Sequence, residues 1–230
     1  MKLYQFEHSP FCDKVRRALR HKQLPFEIEE VPMAQAPSRL RKLNPAAKVP
    51  VLEHDGRLVA DSTDIALYLE DRFPDPPLLP QDPRERATCL VLEDWADESL
   101  YFYEMRLRFT LPHNAERWVP ELLAHDPAPL RFVARRVVPG VVRRQLAAQG
   151  IGRKSEAQVL ADVQRHLDAL GGWLGDREWL VGGALSLADL AVFAQVHCLR
   201  GTEEGSRMID ARPRLGTWMD RVDRATAALQ

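Results

Sequence analysis

The chain of 230 residues is long enough for one large domain or two modest ones, and it can bury a core without covalent crosslinks. Its 32 basic and 33 acidic residues nearly cancel, which argues against nucleic acid or an anionic membrane as the main partner. No apolar run has the length of a bilayer span, and the three cysteines show neither metal-site spacing nor a secretory leader before them. We therefore expect a cytoplasmic protein without a bound metal.

The first part of the chain alternates the signals of strands and helices. The two-residue period of strands covers 2–6, 26–31, 49–53 and 57–60, and His54-Asp55-Gly56 predicts a hairpin turn between the last two. Apolar residues at helical spacing cover 13–21, the surroundings of Leu40 and Leu43, and 63–73. The predicted order is therefore β-α-β-α-β-β-α. Ser9-Pro10-Phe11-Cys12 lies where the first strand turns into the first helix, which is the position of the redox motif in thioredoxin-like folds.

A proline-rich segment separates this part from a helical remainder. Residues 73–80 contain four prolines, cannot continue a helix and predict an interdomain linker. Helices are expected beyond it over 84–109, 127–149, 155–174, 187–199 and 213–229, with 187–199 as the buried centre. We expect a kink within 84–109, a division into two pieces at Pro139-Gly140 and an irregularity at Gly171-Gly172. We predict an α/β domain over 1–75, a linker over 76–85 and an all-helical domain over 86–230.

Four motifs occur in the order and spacing of one family: Ser9-Pro10-Phe11-Cys12, Lys48-Val49-Pro50-Val51-Leu52, Asp61-Ser62 before a helix, and Ser186-Leu187-Ala188-Asp189. On these motifs the chain resembles the soluble glutathione transferases, which have a thioredoxin-like α/β N-terminal domain and an all-α C-terminal domain. The resemblance covers nearly the whole chain and is weak between about residues 112 and 154. Asp61-Ser62 and Gly150-Ile151-Gly152-Arg153 are also similar to the failed-axon-connections and metaxin-like branch.

The resemblance implies a glutathione site on the first domain. Ser9 matches the catalytic serine of the tau-like classes, where omega-like classes carry a cysteine. Val49-Pro50 matches a cis peptide bond whose backbone pairs with the cysteinyl part of glutathione, and a cis bond is a minority state for proline. Lys48 matches a position that reaches the glycyl carboxylate, and Ser62 one that binds the γ-glutamyl carboxylate at a helix N-terminus.

The resemblance extends to the rest of the site and to the assembly. Asp61 stands where many active classes have Glu or Gln for the γ-glutamyl ammonium group. Phe11, Tyr101 and Tyr103 are expected in the pocket for the electrophile. The family also implies glutathione as co-substrate, no metal, a small electrophilic substrate and a homodimer.

Ser9 supports two interpretations. A free thiol has a pKa of about 8.5, and a hydroxyl that donates to the sulfur beside a helix N-terminus stabilises the thiolate. Ser9 would then activate glutathione for attack on a carbon atom that the second domain holds. The alternative is that Ser9 only caps the first helix.

Cys12 also supports two interpretations and leads to the competing functions. As a redox thiol, exposed and acidic, it would make the chain a glutathione-dependent thiol reductase, although the usual first cysteine is replaced by Ser9. As a small buried residue it would only pack the first helix. A further alternative is a non-catalytic binding protein with the transferase fold.

The Ser186–Asp189 motif is expected to be structural. The spacing predicts a capping box, in which the Ser186 hydroxyl accepts from the amide of residue 189 and the Asp189 carboxylate accepts from the amide of Ser186. This motif stabilises the buried helix and carries no information about the substrate.

Overall fold

The computed structural model describes residues 1–228; the expected ends of the last helix at Leu229 and of the helical domain at Gln230 lie outside the described residues. Its N-terminal part has the predicted order of elements. These are β1 Lys2–Gln5, α1 Pro10–His21, β2 Glu27–Glu30, α2 Ala36–Leu43, β3 Val51–His54, β4 Arg57–Ala60 and α3 Ser62–Arg72.

The four strands form one mixed sheet in the order β2-β1-β3-β4. β1 pairs in parallel with β2 and antiparallel with β3, and β3 and β4 form a hairpin. Asp55 and Gly56 both have positive φ, 50° and 77°, as the two central residues of a tight hairpin turn require. The structure confirms the expected thioredoxin-like α/β arrangement.

The second part of the chain is helical. Its helices are α4 Pro83–Trp95, α5 Tyr101–Thr110, α6 Pro112–Leu122, α7 Ala128–Gln149, α8 Glu156–Leu174, α9 Leu187–Arg200, α10 Glu203–Asp210 and α11 Pro213–Ala225. A π-helical segment, Ala96–Leu100, joins α4 to α5 and replaces the predicted kink, while a short 3₁₀ turn over Ile151–Arg153 precedes α8. Among the described residues no helix is long and apolar enough to cross a bilayer.

Two predicted interruptions are wrong. Pro139 lies inside α7 without dividing it, because Val138, Val142 and Leu146 keep one face of the helix against the core on both sides of the proline. The packing offsets the single backbone hydrogen bond that a proline removes. Gly171-Gly172 does not disturb α8, since Leu170 and Leu174 are buried on the same face, and the helix ends at Gly175 with a φ of 54°.

α9 is the centre of the helical part, as predicted. Every residue of α9 except His197 and Arg200 is buried, and α1 of the N-terminal part lies against it with the Arg17 guanidinium 3.9 Å from the Phe193 ring centroid. One apolar cluster therefore runs through both parts, from Leu3 to Val222. The shared core fixes the orientation of α1, on whose N-terminus Ser9 lies.

The segment between α3 and α4 is tied down by two charged side chains. The Lys22 ammonium donates to the carbonyls of Phe73 and Pro76 at 2.6 and 2.9 Å and pairs with Glu70 at 2.8 Å. The Glu70 carboxylate also accepts from the amides of Leu78 and Leu79. The connection is therefore a fixed part of the fold, although it contains no helix or strand.

Candidate active site

Three loops meet at one edge of the sheet. Tyr4 in β1 lies opposite Val51 in β3, and Val51 lies opposite Ala60 in β4. The chain leaves β1 toward Ser9, enters β3 from 48–50 and leaves β4 toward 61–62 at this edge. The register therefore brings together the residues that the sequence assigned to glutathione.

Ser9 is the N-cap of α1. Its Oγ accepts from the amide of Cys12 at 3.4 Å, which is a long hydrogen bond. Its hydroxyl also hydrogen-bonds the Cys12 sulfur, which acts to lower the pKa of that thiol, and the Ser9 side chain is half-buried. Ser9 caps the helix, as the structural interpretation proposed. Because a thiol sulfur is a weak acceptor, the Ser9 hydroxyl can turn its proton from Cys12 to a stronger acceptor on a ligand.

The Val49–Pro50 peptide bond is cis, as expected. Pro50 is buried, Val49 is half-buried and the Lys48 side chain is exposed. The Asn44 side chain holds this turn by donating to the Lys48 carbonyl at 2.9 Å and accepting from its amide at 3.4 Å. The backbone before β3 is thus fixed, while the Lys48 ammonium group is free to reach a ligand.

Asp61 and Ser62 open α3. Asp61 is the N-cap, and its carboxylate accepts from the amides of Thr63 and Asp64 at 2.8 and 3.4 Å. Its φ of 78° is unusual for a residue with a side chain. Ser62 is buried and its hydroxyl donates to Asp97 Oδ2 at 3.5 Å, so it faces the helical part of the chain.

A buried charged cluster lies beneath Ser62. The Lys14 ammonium pairs with Glu93 at 2.7 Å and with Asp97 at 2.5 Å, and the Thr63 hydroxyl donates to Glu93 at 2.6 Å. Burial raises the pKa of Asp97 to about 6, against the opposing effect of Lys14. This cluster joins α1 and α3 to α4, and no local sequence pattern indicated it because its members are far apart in the chain.

A mostly apolar cavity of about 680 Å³ adjoins Ser9. The N-terminal part supplies Phe6, His8, Ser9, Pro10, Phe11, Met33, Ala34 and Pro37, while α5, α6 and α7 supply most of the remaining wall. The Phe11 and Tyr101 rings both line the cavity and contact each other, with centroids 4.7 Å apart. The exposed apolar side chains of α7 at Leu130, Val133, Val137 and Val141 also belong to this wall.

Glu104 and Arg108 form a polar patch in that wall. Both side chains are about 1% exposed, and the Arg108 guanidinium donates to Glu104 at 3.1 Å and to the His8 carbonyl at 3.2 Å. Burial raises the pKa of Glu104 despite this partner. Arg108 therefore holds the loop before α1, which carries Ser9, through the carbonyl of His8.

Tyr103, expected in the electrophile pocket, does not line this cavity. Its hydroxyl donates to Asp162 of α8 at 3.1 Å, and its ring packs edge-on against His166 with centroids 5.0 Å apart. Two residues along a helix lie on different faces, so Tyr101 and Tyr103 do not point the same way. We leave Tyr103 out of the pocket and retain Phe11 and Tyr101.

Cys12 lacks the properties that a redox thiol needs. It is fully buried, and this burial raises the pKa of its thiol to about 11. Reactive thiols are accessible and have a lowered pKa. Cys12 packs the first helix, which removes the observation on which the reductase alternative depended.

One group of possible metal donors occurs among the described residues, at His113, Glu203 and Glu204, far from Ser9 in the chain. The Glu204 carboxylate is already bound by the His113 ring and the Asn114 amide, both at 2.8 Å. These contacts account for the cluster as a link between α6 and α10.

Comparison with known proteins identifies two domains of the same family. Residues 3–77 match the glutathione S-transferase N-terminal domain, and residues 137–224 match the glutathione S-transferase C-terminal domain. The N-terminal match includes every residue assigned to glutathione.

Similar proteins have different names. FtsZ-localized protein A of Caulobacter vibrioides is 31% identical over 84% of this chain and 75% of its own length. Glutathione S-transferase 1 of Dianthus caryophyllus is 44% identical over 38% of this chain. The chain spans 41% of the length of this transferase and 41% of the protein named "Probable maleylacetoacetate isomerase" of Caenorhabditis elegans. The crystal structure of beta-etherase LigF from Sphingobium has a TM-score of 0.68 at 27% identity, covering 96% of this chain and 94% of LigF.

Proposed function

Because the chain belongs to the glutathione S-transferase family, we propose that it is a glutathione transferase that uses Ser9 to activate the thiol of glutathione. One observation carries the proposal. The sheet register brings Ser9, Val49 and Ser62 to one edge, beside an apolar cavity of about 680 Å³. That arrangement provides a polar site for a peptide next to an apolar site for its reaction partner.

Glutathione would lie along the edge of the sheet. The backbone of Val49 before the cis bond would pair with the cysteinyl part, and the exposed Lys48 would reach the glycyl carboxylate. The γ-glutamyl end would lie at the N-terminus of α3, with Ser62 binding its carboxylate and Asp61 its ammonium group. A helix N-terminus favours an anion, which supports this orientation.

Ser9 would act on the sulfur. Its hydroxyl proton would turn from the Cys12 sulfur, a weak acceptor, to the sulfur of glutathione, and the N-terminus of α1 adds a favourable partial charge for an anion. Donation of this proton stabilises the thiolate, and the thiol proton leaves to solvent. The thiolate then forms a C–S bond to the electrophilic carbon, which releases its leaving group or shifts an electron pair within the substrate.

The cavity between the two parts of the chain would hold the electrophile. We assign residues 1–75 to glutathione, 76–85 to the linker and 86–230 to the domain that completes the cavity. Its wall is apolar apart from the Glu104–Arg108 pair, which suits a hydrophobic substrate next to Phe11 and Tyr101. We further propose a cytoplasmic homodimer, as is usual in the family.

A binding protein without catalysis is the second candidate. The observation in its favour is the 31% identity to FtsZ-localized protein A, whose name describes localisation with another protein. The same fold carries both catalytic and purely binding proteins, so fold alone does not choose between them.

Calorimetric titration with glutathione tests the proposal. We expect wild-type protein to bind the peptide and Ser62→Ala to weaken binding about tenfold, which corresponds to the loss of a hydrogen bond to a charged group. Ser38→Ala is the matched control, because Ser38 is exposed and its hydroxyl, within residues 1–228, bonds only to the Gln35 carbonyl. Absence of binding by the wild-type protein would favour the binding-protein candidate.

A further inference from the structure

Ser62 has one hydroxyl proton and two candidate acceptors. In the structure this hydroxyl donates to Asp97 Oδ2 in a long hydrogen bond of 3.5 Å. The proposed function requires Ser62 to donate the same proton to the γ-glutamyl carboxylate of glutathione. A hydroxyl has a single O–H donor, so both anions cannot receive it together.

The buried cluster beneath Ser62 contains two carboxyl groups and one ammonium group. Glu93 and Asp97 share the single ammonium of Lys14, with N–O distances of 2.7 and 2.5 Å. With both acids ionised, the cluster has one uncompensated negative charge in a buried place. Asp97 is the most accessible of the three, with a side chain that is 10% exposed against 1% for Lys14 and 4% for Glu93.

Further anionic charge at Ser62 would therefore be costly unless the cluster gains a proton. We propose that Asp97 is a positioning residue that takes up a proton when the γ-glutamyl carboxylate binds to Ser62; this rests on the proposed function. The proton comes from solvent and forms an O–H bond on Asp97. Asp97 then donates to Ser62 Oγ, and the Ser62 hydroxyl turns its own proton to the ligand carboxylate.

The groups around Asp97 agree with a site that titrates near neutral pH. Lys14 faces it from α1, Ser62 from α3, Glu93 from α4 and the fully buried Gln195 from α9. Burial and Glu93 raise the pKa of Asp97, while Lys14 and Gln195 lower it, and the result is about 6. Asp97 is thus ionised at neutral pH in the free protein and takes a proton at small cost.

The test counts protons during binding. The full chain is titrated calorimetrically with S-methylglutathione, whose blocked sulfur cannot release a proton, at about pH 7 in phosphate and in Tris. We expect uptake of close to one proton, and a dissociation constant that rises roughly 15-fold from about pH 6 to about pH 7.5. Asp97→Asn mimics the protonated acid and should bind without uptake and without this pH dependence. Asp94→Asn is the control and should behave as wild type, because Asp94 is exposed at the end of α4, just before the π-helical segment that carries Asp97.

Each other result overturns the inference. Binding without uptake by the wild type, or an Asp97→Asn variant with the wild-type pH profile, refutes the coupling and leaves the proposed function intact. A dissociation constant that falls as the pH rises would mean that ionised Asp97 pairs with the ligand ammonium instead. No binding at any pH would refute the glutathione site itself. The wild-type proton count decides the matter even if Asp97→Asn does not fold.

Discussion

At the residue scale, the chemistry depends on which side chains can donate a proton to a ligand and which lose access to solvent. Ser9 and Cys12 lie one turn apart on α1, yet their environments differ completely. Ser9 is half-buried beside the cavity, while Cys12 is sealed in the core with its pKa raised to about 11. The motif therefore retains a hydroxyl that can act on a bound sulfur, and its remaining thiol is structural.

Substitution of Cys12 should accordingly leave catalysis intact. We expect Cys12→Ala to keep at least about half of the transferase activity and to cost roughly 1–2 kcal/mol of stability through the lost buried volume. In the native wild type Cys12 should resist alkylation by iodoacetamide and react only after unfolding, since only the thiolate attacks. If iodoacetamide alkylated Cys12 rapidly in the folded protein and activity were lost, Cys12 would be a reactive thiol and our interpretation would be wrong.

At the element scale, the local sequence predicts elements better than their interruptions. The order of strands and helices up to α3 follows from period and turn chemistry, because those signals lie within a few residues. The continuity of α7 through Pro139 depends on packing against distant helices, which the local sequence does not contain. Two short helices, α6 and α10, were not predicted, although Pro112 at a first helical position and the Thr202 cap were available signals.

The residues of the candidate site also fall into a group that the local sequence predicts and a group that it does not. Ser9, Val49 and Ser62 could be found from motifs, because each belongs to a turn or cap with a local signature. Asp97 and Arg108 could not, because each depends on a partner far away in the chain: Lys14 for Asp97 and the His8 carbonyl for Arg108. Long-range charge pairing leaves no periodic pattern in a sequence.

The capping box at α9 predicts a large stability effect. The Asp189 carboxylate accepts from the amides of Leu180 and Ser186, from the Ser186 hydroxyl and from the Trp218 indole, at 2.8 to 3.0 Å. Asp189→Ala should lower the free energy of unfolding by roughly 3–5 kcal/mol, because several buried donors lose their acceptor. Urea unfolding measures this cost.

The control for that experiment is Asp168→Ala. Asp168 lies on α8 with an exposed side chain and pairs with Arg212. Exposed ion pairs contribute less than about 1 kcal/mol, so this variant should unfold near the wild-type midpoint. Equal losses of unfolding free energy in the two variants would show that the hydrogen bonds accepted by Asp189 do not stabilise the fold as we describe.

At the scale of the whole molecule, polar and apolar contacts both join the two parts of the chain. α1 packs on α9, and Lys14 of α1 binds Glu93 and Asp97, which follow the segment between α3 and α4. Arg108 of α5 also binds the carbonyl of His8. The proposed sulfur site and its cavity are therefore built by both parts, so their geometry depends on this junction.

The junction should give a pH-dependent stability. The folded protein binds a proton at Asp97 more tightly than the unfolded chain, since burial raises the pKa of Asp97 from its ordinary value of 3.8 to about 6. The contribution of Asp97 to stability is therefore lost as the pH rises from about 4 through about 6, by an amount on the order of 2–3 kcal/mol. Urea midpoints of wild type and Asp97→Asn across this range measure the difference, which should change with pH. If the difference in urea midpoint between the two proteins did not change with pH, the pKa of Asp97 would be the same in the folded and unfolded protein, which would contradict the prediction.

The most direct measurement of the central claim is the pKa of the glutathione thiol bound to the protein. Thiolate absorbance in the ultraviolet is followed against pH for wild type, Ser9→Ala and the control Ser38→Ala, each saturated with glutathione. We predict a bound thiol well below the free value of about 8.5 in the wild type and in the control, and a rise of about 1–2 pH units in Ser9→Ala, as expected for loss of one hydrogen bond to a charged group. A bound thiol with its ordinary pKa in the wild type, or one that Ser9→Ala does not change, would contradict the assignment of Ser9.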